Sequence, residues 1–327
     1  MKYIYLDQNK WIELAKGIIQ GEKRILDLKK RIDEKIQLHE WAFPVSLIHL
    51  AETMKRQDIS SRNNVLNLMY ELSNGYSICD AFDVGNLEFD CLIHGNDNRV
   101  TNLIPKVIID DYANLIGLSN DEILDSVIAS ESRSGPIDIK NIEFATNVMK
   151  VLKKHRCIFD YVAERAVELA KDEDYYHEHY LSAKKQFDNW IEFCKASDDY
   201  KRRKVLSDYV IKLFSASFEA RISTLSQIEE KTIEVFLEKL KDDLETKEIP
   251  HSFYVYSKLI YELFTNANRK IHSHDFYDIT FLRVAIPYCD IVICEKHWGN
   301  VSAQKLKLDT KYDTVITSNL LYLMDCD

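Results

Sequence analysis

The sequence predicts an α/β fold: a parallel sheet flanked by helices, discontinuous in sequence, with a large all-α insertion. Three observations predict it. Short β-favouring runs alternate with helical patterns near both ends of the chain. From about 105 to about 270, amphipathic helical patterns are nearly all that recur. The 327 residues include only 8 Gly and 5 Pro, so turn formers are sparse.

The elements follow in order. "YIYL" (3–6) is a β run ending at Asp7, and Trp11, Leu14, Ala15 and Ile18 then recur at helical spacing. Residues 22–40 give a second helix, with Ile25, Leu28, Ile32 and Ile36 on one face. "WAFPV" (41–45) reads as a short strand, and Ser46 caps a helix that carries Leu47, Leu50, Ala51 and Met54. Residues 60–74 form a helix ended by "NGY". "DVGNLEFDCLIHGNDNR" (83–99) reads as loop, and "SESRSGP" (130–136) breaks the helical middle. Near the end come a helix over 276–287, a buried strand "DIVIC" (290–294), a helix after Glu295, a strand "DTVITS" (313–318) and a short helix over 319–324. The expected organisation is 1–85 and 271–327 as two parts of one domain, with 86–270 as the insertion.

Composition excludes some classes. A net charge of −10 argues against coating nucleic acid by bulk charge, and leaves local basic patches open. The 7 cysteines are scattered, with no CxxC pair, which fits reduced thiols in a cytoplasmic protein. "MKYIYLDQNKW" lacks an apolar core and predicts no signal peptide. No run approaches the roughly 18 apolar residues of a membrane span.

Acids collect where the strands end. Ligands of open α/β sheets bind outside the carboxyl ends of the strands. Asp7 ends the first strand and Glu295 follows the strand at 290–294. Asp278 opens the helix before that strand, and Glu52 lies on the helix after "WAFPV". Clustered carboxylates raise one another's pKa unless a cation sits among them. Mg²⁺ or Mn²⁺ suits such oxygen ligands, and either can activate water against a phosphate.

"IYLDQNKWIELAK", "FPVSLIHLAET" and "HDFYDITFLRVAIPYCDIVICEKHW" together resemble a PIN-domain nuclease, in particular large bacterial PIN-like proteins with a helical insertion. The resemblance places Asp7, Glu52, Asp278 and Glu295 on that family's four acidic positions, as catalytic residues and ligands of Mg²⁺ or Mn²⁺. The separation 295 − 278 = 17 suits one helix, a turn and a strand. The family's last acid is usually Asp, and here it is Glu295, preceded by Cys294 where a polar residue is common. The resemblance implies a metal-dependent nuclease, acting on RNA rather than DNA, in a toxin or phage-defence setting. The alternative is a non-catalytic PIN-like binding or assembly module with remnant acids. A homo-oligomer or protein partner would then use the helical insertion; no membrane is expected.

Gln8, Asn9, Asp275, His274 and Ser318 are further candidates for substrate contacts, each with a local alternative. Gln8 and Asn9 equally satisfy nearby backbone groups. Asp275 equally caps the helix that carries Asp278, and Asp290 is read as a structural turn residue. His177 and His179 in "YYHEHY" are two apart, which points them to different helix faces. The basic runs "KKHR" (153–156), "KRRK" (201–204) and Lys184–Lys185 read as solvated helix faces, or as a backbone-binding surface with Tyr175, Tyr176 and Tyr180 stacking on bases.

Overall fold

The computed structural model describes residues 1–123, 149–169, 202–243, 249–266 and 271–326, with 181, 182, 184, 185, 187–189 and 192. In chain order the elements are β1 (Lys2–Leu6), α1 (Gln8–Ile19), α2 (Lys23–Gln37), β2 (Trp41–Ala42), α3 (Leu47–Met54), α4 (Ile59–Ser73) and β3 (Ser77–Ile78). They continue with α5 (Ala81–His94), α6 (Val100–Val107), β4 (Ile108–Ile109), α7 (Arg156–Leu169), α8 (Arg202–Ser217), α9 (Glu219–Ile222), α10 (Gln227–Asp242), α11 (His251–Thr265) and α12 (Ser273–Tyr288). Last come β5 (Ile291–Ile293), α13 (Lys296–Asn300), α14 (Leu308–Tyr312), β6 (Val315–Thr317) and a 3-10 turn (Leu320–Met324).

The chain is mixed α/β. Its parallel four-stranded sheet has the order β2-β1-β5-β6. Leu6 pairs with Ile293, and Ile293 with Thr317, so the carboxyl ends of three strands are level. The ladder runs one step further: Asp7 N–H donates to the Ile293 carbonyl at 2.9 Å, and Cys294 N–H to the Thr317 carbonyl at 3.0 Å. Asp290 closes the opposite end, its side chain accepting from Tyr3 N–H at 2.7 Å, which is the structural role its position predicts.

The chain divides into two compact units. The first holds Met1–Asp80, Ile104–Ala170 and Tyr288–Asp327, and the second Ala81–Leu103 and Lys171–Pro287. This division differs from the expected boundaries at 85 and 270. α7, expected in the insertion, packs on α3 within the first unit, while α12 up to Pro287 belongs to the second.

In the first unit, Ile4, Leu6, Ile291 and Ile293 are buried with Trp11, Leu14 and Leu28. Each such side chain contributes about 1.5–3 kcal/mol through burial. The local signals explain the helices. Asp7 caps α1, Ser46 and His49 form a reciprocal capping box on α3, and Asp58 caps α4. α4 stops where Asn74 turns left-handed and Gly75 follows at φ +96°. "WAFPV" is strand only at Trp41–Ala42; Val45 then bridges to Ser77, beside the small antiparallel pair β3–β4 that periodicity did not predict.

In the second unit the expected loop at 83–99 is largely the helix α5. Its Asp, Gly and Asn content suggested a loop, yet Ala81, Val84, Gly85, Glu88 and Phe89 form one buried helical face. Phe89 stacks on Phe218 at 4.8 Å. Buried Glu88 accepts from Ser252 N–H at 2.9 Å and from its hydroxyl at 2.5 Å, capping α11 from another helix. Among the described residues no helix is long and apolar enough to cross a membrane. The six described cysteines are free thiols.

Candidate functional site

Strand order decides where a cleft opens. From β1 the chain moves outward to β2, whereas β5 lies on the other side of β1 and leads on to β6. The direction of winding therefore reverses between β1 and β5, which is where open parallel sheets bind ligands. Asp7 follows the last residue of β1, and Glu295 stands two residues after β5 as the N-cap of α13. Two predicted acids thus meet at the switch point.

Asp7 is buried, at 7% exposure. Burial pushes its carboxyl up to about 6; the Glu295 charge adds to the rise, while N–H groups of Gln8 and Glu295 and the charge of Lys10 oppose it. The Gln8 N–H bond is 2.7 Å. Glu295 is exposed, and its Oε1 accepts from the Asn9 side-chain amide at 2.5 Å. Asn9 therefore spans from α1 to the acid at the start of α13.

Gln8 has the opposite task. Its Nε2 donates to Thr53 Oγ1 at 2.9 Å, and the Thr53 hydroxyl donates to the His49 carbonyl at 2.7 Å. Because the Thr53 proton is committed, the Gln8 amide must present its nitrogen there. Its Oε1 is then buried with no hydrogen-bond partner. Behind this chain His49 is fully buried, and desolvation lowers its pKa to about 3. Ser46 N–H donates to Nδ1 at 3.2 Å, so the proton sits on Nε2 and faces Tyr5 Oη at 3.1 Å.

The other predicted residues are distributed as follows. Glu52 is half-buried on α3, next to Thr53. Ser318 is half-buried just beyond β6, on the level edge. Asp278, Asp275 and His274 all lie on α12, in the second unit. Asp275 is buried and accepts from His272 N–H at 2.9 Å, a capping role at the start of α12. Among the described residues no group of three or more His, Cys, Asp or Glu is arranged to hold a metal ion. The sequence reading missed Thr53, although its i, i+4 relation to His49 on a helix was available.

Among the described residues, the basic runs at 153–156 and 184–185 are largely spent on internal pairs. Lys153 pairs with Asp111 at 3.0 Å, Lys154 with Asp110, Arg156 with Asp160 at 2.7 Å, and Lys184 with Asp188. His177, His179, Tyr175, Tyr176, Tyr180 and the side chains of 201–204 lie outside the described residues.

The protonation of Asp7 tests whether an ion suits the site. A carboxyl held up to about 6 is ionised at neutral pH against its surroundings, and a cation would remove that opposition. Two carboxylates fit Mg²⁺ or Mn²⁺, which commonly take one or two and keep several waters. Compared with family models, with curated proteins and with solved structures, the chain matches none.

Proposed function

We propose that the chain is a metal-dependent nuclease of PIN-like fold that hydrolyses phosphodiester bonds in RNA. The observation that carries this reading is the meeting of Asp7 and Glu295 at the switch point between β1 and β5. Asp7 and Glu295 would hold Mg²⁺ or Mn²⁺, which supplies an activated water and charge stabilisation at a phosphate. Gln8 N–H orients the Asp7 carboxylate, and Asn9 fixes Glu295. Thr53 anchors Gln8 from α3 and so ties the cleft floor to the helix that carries Glu52. Asp278 is proposed as a further acid of the same chemistry, tested by substitution alone.

The test is cleavage of labelled single-stranded RNA, structured RNA and DNA with Mn²⁺, Mg²⁺ or EDTA. Wild type is compared with Asp7→Asn, Glu295→Gln and Asp278→Asn. Metal-dependent cleavage lost in the first two variants supports the reading, and the third shows whether Asp278 takes part. The second reading, a non-catalytic binding module, is favoured by Glu295 standing where the resembled family usually has Asp. Inactivity of wild type under every condition, with no Mn²⁺ binding by calorimetry, would move weight to it, or to an enzyme awaiting a partner or activator.

A further inference from the structure

The described cysteines divide by access. Cys91, Cys289, Cys294 and Cys326 are buried, while Cys79 and Cys157 are half-buried. These two thiols meet different partners. Cys79 S–H donates to the Lys106 carbonyl at 3.4 Å, and the Asn114 amide donates to its sulfur at 3.5 Å. A carbonyl and an amide hold a thiol without taking its proton. Cys157 Sγ instead lies 3.0 Å from Nδ1 of His155, and an imidazole nitrogen is a base.

The backbone fixes which form the imidazole takes. His155 caps α7: its carbonyl accepts from Ile158 N–H at 3.0 Å and from Phe159 N–H at 3.1 Å, and its Nδ1 accepts from Cys157 N–H at 3.3 Å. A backbone N–H only donates, so Nδ1 presents a lone pair and the ring proton sits on Nε2. The Cys157 S–H donates to that same lone pair. Nucleophile and base are thus held within hydrogen-bond reach of each other, which is the contact a base-activated thiol requires.

We propose that Cys157 and His155 form a base-activated thiol that hydroperoxides oxidise reversibly to a sulfenic acid. His155 Nδ1 takes the thiol proton as the sulfur attacks one peroxide oxygen. The S–O bond forms and the O–O bond breaks. The leaving oxygen takes the proton back from the imidazolium and departs as water or an alcohol. The sulfur gives two electrons to the peroxide, and a thiol reductant restores Cys157. The proposal is independent of the nuclease reading, since it uses no residue assigned to the cleft at Asp7.

The experiment exposes the full chain to hydrogen peroxide near neutral pH, traps sulfenic acid with dimedone at timed intervals, and reads each cysteine by mass spectrometry. Wild type is compared with His155→Asn, whose Oδ1 caps a helix as Nδ1 does yet takes up no proton, and with His155→Gln. Thermal melts identify the folded variants. In wild type Cys157 should label about tenfold faster than Cys79, because an unassisted thiol is only a few per cent thiolate near pH 7. In folded His155→Asn, Cys157 should slow about tenfold, to the rate of Cys79, for the same reason, while Cys79 is unchanged. A helix cap with no role as a base would leave that rate alone. Dithiothreitol added before dimedone should erase the label. Equal labelling of Cys157 and Cys79 in wild type, wild-type labelling of Cys157 in a folded His155 variant, or oxidation that dithiothreitol does not reverse would overturn the proposal. If neither variant folds, the wild-type ratio of Cys157 to Cys79 decides.

Discussion

Asp7→Asn should stabilise the protein at neutral pH while abolishing any activity of the cleft. The magnitude follows from the burial of Asp7. Displacement of its proton equilibrium from 3.8 to about 6 corresponds to about 3 kcal/mol. The sign follows from linkage: the folded state binds this proton more tightly than the unfolded state. Stability contributed at Asp7 is therefore full below 3.8 and declines as pH rises through about 6. Asparagine has no charge to bury, and its Oδ1 still accepts from Gln8 N–H. The variant should gain up to about 3 kcal/mol above pH 6, and the gain should vanish near pH 4. In a unit of this size that is a rise in melting temperature of about 6–12 °C. The assay is thermal and urea unfolding of both proteins in EDTA, from pH 4 to pH 8. Adding Mn²⁺ should raise the wild-type stability and leave the variant unchanged, because an ion bound only by the folded state stabilises it. A variant less stable than wild type at pH 7.5, or a gain that persists undiminished at pH 4, would refute the reasoning.

Three further outcomes are expected. Asn9→Ala should reduce RNA cleavage by about a hundredfold through loss of Glu295 positioning, with an unchanged melting temperature because Asn9 is exposed. His49→Ala should cost about 3–5 kcal/mol in urea unfolding, since it opens a buried volume and removes the bonds to the Tyr5 hydroxyl and Ser46 N–H. Glu88→Ala should cost about 3 kcal/mol and be seen as faster hydrogen exchange at the first amides of α11, which lose their buried acceptor.

What was legible in the sequence was local. The strands around Ile4, Ile291 and Val315 announced themselves by β-branched content, and Ser46 and Asn74 marked helix ends by their side-chain chemistry. Asp7 and Glu295 were legible because each follows a strand, and in a parallel sheet that fact alone sets them on one edge. α5 was misread because a helix buried along one face tolerates Gly85 and Asp83, whose turn propensity dominates a short window. The assignment of α12 to the second unit, and of α7 to the first, depends on packing partners distant in sequence, which no periodicity reports.

Asp7 and His49 show how the cleft and the fold pull against each other. They sit at the two ends of one bonded chain, from Asp7 through Gln8 and Thr53 to the His49 carbonyl. Burial acts on both and drives both toward neutrality, raising the carboxyl to about 6 and lowering the imidazole to about 3. Their effects on stability are opposite. Neutral His49 contributes stability that is full above 6.5 and is lost as pH falls toward about 3, because the unfolded chain takes up the proton. From about pH 4 to pH 6 the two slopes, about 1.4 kcal/mol per pH unit each, cancel in wild type. Asp7→Asn removes one of them, so the variant should weaken in acid over a range where wild type stays level. The imidazole is where the fold wants it, neutral and bonded to Tyr5. The carboxylate is not: burial opposes its charge, and Asp7 keeps its place as the cap of α1 through the Gln8 N–H. The proposed metal would offset that opposition, because a cation beside the carboxylate favours its charged form.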